Sequence, residues 1–599
     1  MTRALFAIAV FAIAIAWGAT AAAQYEPPPP PPVDPAAPVD PAPPAPPAAP
    51  AEQPAAPVEP PVAPVEPVPP VVVAPAPQPA PQPETTLVSA AESRAPAATS
   101  ATAKSDPSEW DRWFGGKFMD TRITFVFTDD NTLAGPEDRS PQPGFFNVDD
   151  EQFYEGLDSE KRGRENETQL VLYKRMPSYF HRLDAEAALV LEASIGIDDT
   201  QIGDDGSYLK LNLYTQRDDF DGDNVSLTLF PVDSQRMLLG YTYDITWGGE
   251  GIFPNNPGLV PGARLRYDFN VGETHEGYAY AGVKTAQLLN QAIDETQTYY
   301  GALGGGGIGI TKWLGFDLCG GYFQRGAFPP QSYTDTSEEG GETESEGIGG
   351  KTMDAFGGST RIVLHHGMPI QDSVDFRLYK VTPDAGQIIG ATQAYDGGVA
   401  WSLSGEYTLV AQSLIKFDEA NSSEYVPSSA AAVNGKFRLA RARFHADFVY
   451  RDLSYVVFDI PGVFPYHGFP KGADARPEWF FAVGADYFFE TSRLTPGVIF
   501  AYKRPAVLSI TDSEGLDHNS VYRSVEDMEI LPPDQKSFDI LSFKATLKWD
   551  VAQFLAFVGE VRYTLDKNKS KIGANNVRVF EEKNVTNQLG FALLAQAKW

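Results

Sequence analysis

The sequence predicts an all-β membrane protein: a transmembrane antiparallel β-barrel of about 18 strands, with 16 as the alternative, preceded by a disordered proline-rich segment. Three observations predict it. From about residue 109 to residue 599 the chain repeats segments of roughly ten residues in which apolar and polar side chains alternate. The amino terminus carries an export signal. Beyond that signal, no uninterrupted apolar run is long enough to form a membrane-spanning helix.

Residues 1–23 have one early positive charge, Arg3, then an apolar run from Ala4 to Trp17, then small residues ending at Ala23. This is the layout of a secretory signal peptide cut before Gln24, so the chain is expected to leave the cytoplasm. Residues 24–108 are rich in Pro, Ala, Val and Glu, then in Ser, Thr and Ala. Such a tract cannot build a core and reads as an extended spacer rising about 3 Å per residue. The single cysteine, Cys319, can form no internal disulfide. A large exported chain without bridges needs another source of stability.

The barrel is expected over residues 109–599. Leu183, Ala185, Ala187, Leu189, Leu191, Ala193 and Ile195 share one face of a strand, and Arg182, Asp184, Glu186, Glu192 and Ser194 share the other. The same period of two runs through Leu209, Leu211 and Leu213 against Lys210 and Asn212, and through Leu541, Phe543, Ala545, Leu547 and Trp549 against Ser542, Lys544, Thr546 and Lys548. It also runs through Leu589, Phe591, Leu593, Ala595, Ala597 and Trp599, the end of the chain.

Alternating strands suit a soluble sandwich as well as a barrel, and three features decide for the barrel. The segments approach the 9 to 11 residues that cross a bilayer at a tilt. Aromatic residues cluster at segment ends, as in Tyr241, Tyr243 and Trp247, in Trp479, Phe481, Tyr487 and Phe489, and in Trp549. Short connections such as "HHGMPIQDS", "ETSRLTP" and "DVAQ" alternate with long polar stretches near 324–352, 504–536 and 567–584.

With these residues in place, the chain resembles a bacterial outer-membrane β-barrel of the porin-like class. The resemblance implies an outer-membrane location with the N-terminal segment in the periplasm and outer-membrane lipid around the barrel. It also implies a final strand, marked by Phe591, Leu593 and Trp599, that is read by the barrel-assembly machinery, and a possible homotrimer. Nineteen candidate strands begin near residues 117, 167, 182, 206, 224, 236, 262, 277, 296, 313, 353, 372, 397, 435, 478, 493, 537, 553 and 586. Single-chain bacterial barrels have even numbers, and the alternation of turn lengths becomes ambiguous before residue 296, where one candidate is expected to be false. Either count leaves an aqueous lumen by size alone.

If the apolar face meets lipid, the polar face lines the lumen. Pore-lining candidates are Arg264, Arg266 and Asp268, then Asp375 and Arg377, then Arg441, Arg443, His445 and Asp447, each set alternating with apolar neighbours. Inward arginines opposed to acids could set a transverse field across a constriction, or could simply pair across strands and hold a wet interior together. The stretch "WGGEGIFPNNPGLVPG" at 247–262 has enough Gly and Pro for an irregular loop that could enter the pore, and the glycine run at 304–307 would allow close backbone approach by such a loop.

Asp219, Asp221 and Asp223 surround Gly222, but no Glu follows at the spacing an EF-hand requires, so an acidic hairpin loop is the reading and no metal site or cofactor is expected. The seven histidines are scattered and make no legible catalytic set, so enzyme activity is not expected. A net charge of -32 argues against nucleic-acid binding. The expected function is a porin-like channel for passive diffusion of small hydrophilic solutes. The rival is a non-conducting structural barrel that anchors the outer membrane to the cell wall (peptidoglycan) or a periplasmic protein through its proline-rich tether.

Overall fold

The fold was analysed in a computed structural model, which describes residues 122–598 apart from parts of the connections, the longest being 145–168, 331–347 and 368–397. The segments 1–23 and 24–108, Asp375, Arg377 and Trp599 lie outside the described residues.

Strands of alternating polarity cannot satisfy their edges in lipid unless the sheet closes on itself. Here it closes. The barrel strands are β1 (Arg122–Asp129), β2 (Gln169–Pro177), β3 (Leu183–Ile195), β4 (Tyr208–Tyr214), β5 (Asn224–Phe230), β6 (Gly262–Val271), β7 (His275–Asn290), β8 (Glu295–Thr311) and β9 (Leu314–Ala327). They continue as β10 (Thr352–His366), β11 (Val399–Lys416), β12 (Glu419–Leu439), β13 (Ala442–Arg451), β14 (Glu478–Tyr487), β15 (Leu494–Arg504), β16 (Ile540–Ala552), β17 (Leu555–Leu565) and β18 (Asn587–Lys598). Each pairs antiparallel with the next, and β18 pairs with β1, Ala595 opposite Phe125, to complete a ring of eighteen among the described residues.

The ring corrects the candidate list in three places. The candidate near 236 is not a barrel strand, because β5 pairs directly with β6 and the residues between them run elsewhere. No strand from the neighbourhood of 372 is interposed either, since β10 pairs directly with β11 along twelve residues. "HHGMPIQDS" is therefore not a short turn: His365 and His366 end β10, and the connection to β11 spans 367–398. The candidate near 435 resolves into two strands, β12 and β13, joined at Ala440 and Arg441. Ala440 takes a left-handed backbone, φ 50°, without the glycine or asparagine that would have advertised the turn.

One end of the barrel carries mostly short turns, among them 272–274, 312–313, 440–441, 488–493 and 553–554. The other carries the long connections, including 231–261, 328–351, 452–477, 505–539 and 566–586. The stretch 505–539, with residues 474–476, forms a small four-stranded sheet beyond the barrel strands, with Val507, Val521 and Leu531 at its core.

Outward positions are apolar. Leu209, Leu229, Leu265, Val283, Leu409, Phe444, Phe481, Val498, Phe500, Phe543, Leu547, Phe557 and Val561 are all exposed on the isolated molecule, while their sequence neighbours are turned inward. Aromatic rings rim this belt. On β14, Trp479 and Tyr487 are eight residues apart, about 26 Å along the strand at roughly 3.3 Å per residue, the scale of an apolar band crossed at a tilt. Trp479 packs edge-on against Tyr450 at one rim, and Tyr487 against Phe489 at the other. Tyr241 and Trp247 do not belong to this girdle. They are buried inside the barrel, for the reason given below; Tyr243 lies outside the described residues.

Candidate functional site: an occupied lumen

The connection between β5 and β6, residues 231–261, turns into the barrel instead of away from it. Its apolar residues require this: Met237, Leu239, Tyr241, Ile245, Trp247, Ile252, Phe253 and Val260 are all nearly fully buried in one cluster with inward residues of the wall. Burying a side chain of this size is worth about 1.5–3 kcal/mol, so the segment is held largely by exclusion from water. Trp247 packs edge-on to Phe323 of β9 with ring centroids 5.5 Å apart.

Three charged side chains from the wall fasten the segment by its backbone. Cations take the carbonyls: the Lys284 ammonium on β7 donates to the Ser234 and Gly248 oxygens at 3.1 and 2.7 Å, and Arg325 Nε on β9 donates to the Ile252 oxygen at 2.8 Å. An anion takes the amides. The Glu406 carboxylate on β11 accepts from the Tyr241 and Thr242 N–H groups at 2.9 and 2.6 Å. Because all three are buried, these bonds form where water does not compete. A short helix, α1 (Leu453–Val456), enters from the connection after β13, and its Tyr455 hydroxyl donates to the Ile245 oxygen.

The wall is shaped for the guest. An added Cβ at Gly321 would stand 2.7 Å from Leu239, one at Gly248 would stand 2.8 Å from Phe323, and one at Gly262 would stand 2.8 Å from Ser234. Gly248 also has φ 80°, which a side chain would resist. The entry expected of the stretch 247–262 is present, but the segment that enters is longer than that stretch. The glycines at 304–307 do not face it: Gly305 abuts Cys319 and Tyr280, and Gly307 abuts Asp317 and Tyr278.

An entirely polar lumen is therefore corrected. Val190, Phe230, Leu303, Phe323, Val410, Phe480 and Ile499 also point inward and are buried. Buried charge lies toward both ends: Arg451 and Lys503 pair with Glu478 beside the long connections, and a second group lies toward the short turns. There Arg361 pairs with Asp317 at 2.9 Å and lies over the Tyr241 ring at 4.5 Å. Burial pushes the Tyr241 hydroxyl well above its usual range, so that it stays neutral.

Of the sequence-derived candidates, Arg264 faces inward and is buried; Arg266 pairs with Asp268 at 2.7 Å and covers the Tyr278 ring at 4.4 Å. Arg443 faces inward and forms a two-toothed ion pair with Asp486, its direct cross-strand neighbour, with Nε to Oδ1 at 2.7 Å. His445 is buried, its Nε2 3.8 Å from Asp447, and Asp447 accepts from Asn434, whose side-chain oxygen accepts from Thr242. Arg441 is the exception. It lies in the turn before β13, is exposed, and pairs with Glu490. Cross-strand pairing recurs in Lys210–Glu186 and Lys544–Glu560. Phe591 and Leu593 lie on β18, Leu593 exposed on its outer face. Glu406, Lys284 and Arg325 carry no sequence signal of this role: each is an inward charge on an otherwise unremarkable strand, and nothing in its parity says that it grips a backbone.

The closed ring, the apolar belt and the aromatic rims decide the class. The chain is a closed antiparallel β-barrel with the outer surface of a membrane protein. No family model matches the barrel's sequence, and no curated protein matches it. Among solved structures it is similar to Wzi, an outer membrane protein involved in group 1 capsule assembly in Escherichia coli, at 10% identity and TM-score 0.35 over 80% of this chain and 85% of that one. It is also similar to OprD from Pseudomonas aeruginosa, at 9% identity and TM-score 0.35 over 80% and 94%, and to OccAB4 from Acinetobacter baumannii, at 7% identity and TM-score 0.35 over 80% and 97%.

Proposed function

We propose that the barrel is a passive channel for small hydrophilic solutes, constricted by the segment 231–261. One observation carries this: the charged anchors of that segment, Lys284, Arg325 and Glu406, all stand on β7, β9 and β11. The segment is thus fastened by charge to the arc from β7 to β11, while farther round the ring β16 and β17 present the paired charges Lys544–Glu560. A guest held on one arc and a charged wall farther round make a narrow polar passage. Single-channel recording of the refolded barrel in a planar bilayer tests the reading. Stable conductance steps that grow when 238–248 is replaced by a short Gly/Ser linker support it; a folded, inserted barrel silent in both forms removes it.

The second reading is a plugged structural barrel. It is favoured by the dryness of the inner face, where Phe480, Ile499 and Val410 are at most 2% exposed. Its role would be to tether the outer membrane to peptidoglycan or a periplasmic protein through 24–108. In either reading we place the N-terminal segment in the periplasm and take the last strand as the signal for the barrel-assembly machinery, and a homotrimer is the assembly to test.

A further inference from the structure

Lys284, Arg325 and Glu406 hold the infolded segment at different places, and they differ in one chemical respect. Lysine and arginine keep their charge at any pH a cell envelope meets, whereas a carboxylate can lose its charge by taking up a proton. The cations hold the segment on either side of residues 240–242, through the carbonyls of Ser234, Gly248 and Ile252. The carboxylate holds its tip, through two consecutive amides, Tyr241 and Thr242.

Resting on the channel reading, we propose that residues 240–242 form an acid-released flap, latched to the wall by Glu406 while the described residues on either side stay fixed. An ionised carboxylate only accepts hydrogen bonds, and two N–H groups satisfy it. Protonation removes the charge that assists both bonds and turns one oxygen into a hydroxyl, a weaker acceptor, so the amide facing that oxygen is held least.

The groups around the latch are few. Arg361 of β10 is the cation beside it, shared with Asp317 of β9. Cys319 of β9 accepts from the Gly240 N–H at 3.2 Å. Tyr278 and Tyr280 of β7 stand stacked nearby, and Tyr241 belongs to the flap itself. Asp447 of β13 reaches Thr242 only through Asn434, and His445 lies on that same strand. When Glu406 is neutralised, Arg361 keeps Asp317, so the wall remains paired and the flap alone is freed.

Cys319 is a built-in reporter. Its thiol lies beneath Gly240, is 3% exposed, and is the chain's single cysteine. The test is the rate at which a small maleimide alkylates Cys319 in the full barrel reconstituted in vesicles, comparing wild type with Glu406→Gln at one pH. The amide keeps the shape of the carboxylate but turns an NH₂ toward one backbone donor. Thr242→Pro, which removes one of the two amide donors together with the hydroxyl that donates to Asn434, is the second variant; Thr242→Val, which removes the hydroxyl alone, is its control, and heat-modifiable mobility on a gel confirms that each barrel is folded.

We expect Glu406→Gln and Thr242→Pro to label about tenfold faster than wild type at pH 7.5, with the Glu406→Gln advantage shrinking toward one as pH falls and the wild-type carboxyl becomes neutral. Equal rates for folded wild type and both variants at pH 7.5 overturn the latch. An advantage that persists unchanged at acid pH overturns the acid release. Conductance separates this from the channel reading: fast labelling in a barrel that never conducts leaves the latch standing and removes the channel.

Discussion

The Lys284 ammonium, wholly buried on β7, donates to the carbonyl oxygen of Gly248 at 2.7 Å, so that a wall strand grips the infolded segment near its middle. The same nitrogen reaches the Ser234 oxygen near the segment's start. Lys284→Met keeps the length of the side chain but leaves both carbonyls buried without this donor. We expect a loss of about 2–3 kcal/mol, since each bond to a charged donor is worth roughly 1.5–3 kcal/mol and burying the cation had a cost of its own. Denaturant unfolding in detergent measures the loss, and conductance should become noisier. A variant as stable and as quiet as wild type would take Lys284 out of this role.

Gly321 is predicted to tolerate no side chain. A Cβ there would lie 2.7 Å from Leu239, 2.9 Å from the Ala302 oxygen and 3.0 Å from Phe323. Gly321→Val should cost about 1–3 kcal/mol through overpacking and should displace the segment, raising conductance. Gly405, with nothing within 4 Å of the same position, is the control; Gly405→Val should leave both unchanged.

Arg443 and Arg441 are two residues apart and should behave differently. Arg443 is mostly buried in the lumen against Asp486, whereas Arg441 is exposed in a turn against Glu490. Arg443→Gln is expected to shift the reversal potential in a salt gradient toward cations, because Asp486 loses its counter-charge. Arg441→Gln should not shift it. Equal shifts from the two would contradict the inward placement of Arg443.

On β15, Val498 is 49% exposed on the outer face and Ile499 is 2% exposed on the inner. Val498→Lys places a charge against lipid and should destabilise the folded barrel by about 2–4 kcal/mol if the site lies near the midplane, an effect measured by reversible unfolding from lipid vesicles. Ile499→Ala should cost about 2–4 kcal/mol as well, but by opening a cavity. The two are told apart by lipid thickness: only the lysine's cost should change with it.

The barrel was legible from the sequence because a strand with lipid on one side and side chains on the other must alternate. That single constraint places β3, β16 and β18 and nearly all the remaining strands within a few residues. It failed where another environment makes the same demand. Met237, Leu239, Tyr241, Ile245 and Trp247 also fall on alternate positions, because an infolded segment packed on a wall buries every second side chain, and so the stretch near 236 imitates a strand. It failed again at Ala440, where the turn between β12 and β13 uses a left-handed alanine and looks like continuous strand.

What the sequence determined by itself was the period and which residues face which way, since these depend only on neighbours along the chain. What the tertiary structure alone decided was where the segment 231–261 goes and what holds it. Glu406 meets Tyr241 across 165 positions and Lys284 meets Gly248 across 36, and hydrogen bonds to backbone amides and carbonyls leave no mark on the residue types that supply them. Such contacts exist only once the ring has closed and given the segment a lumen to enter.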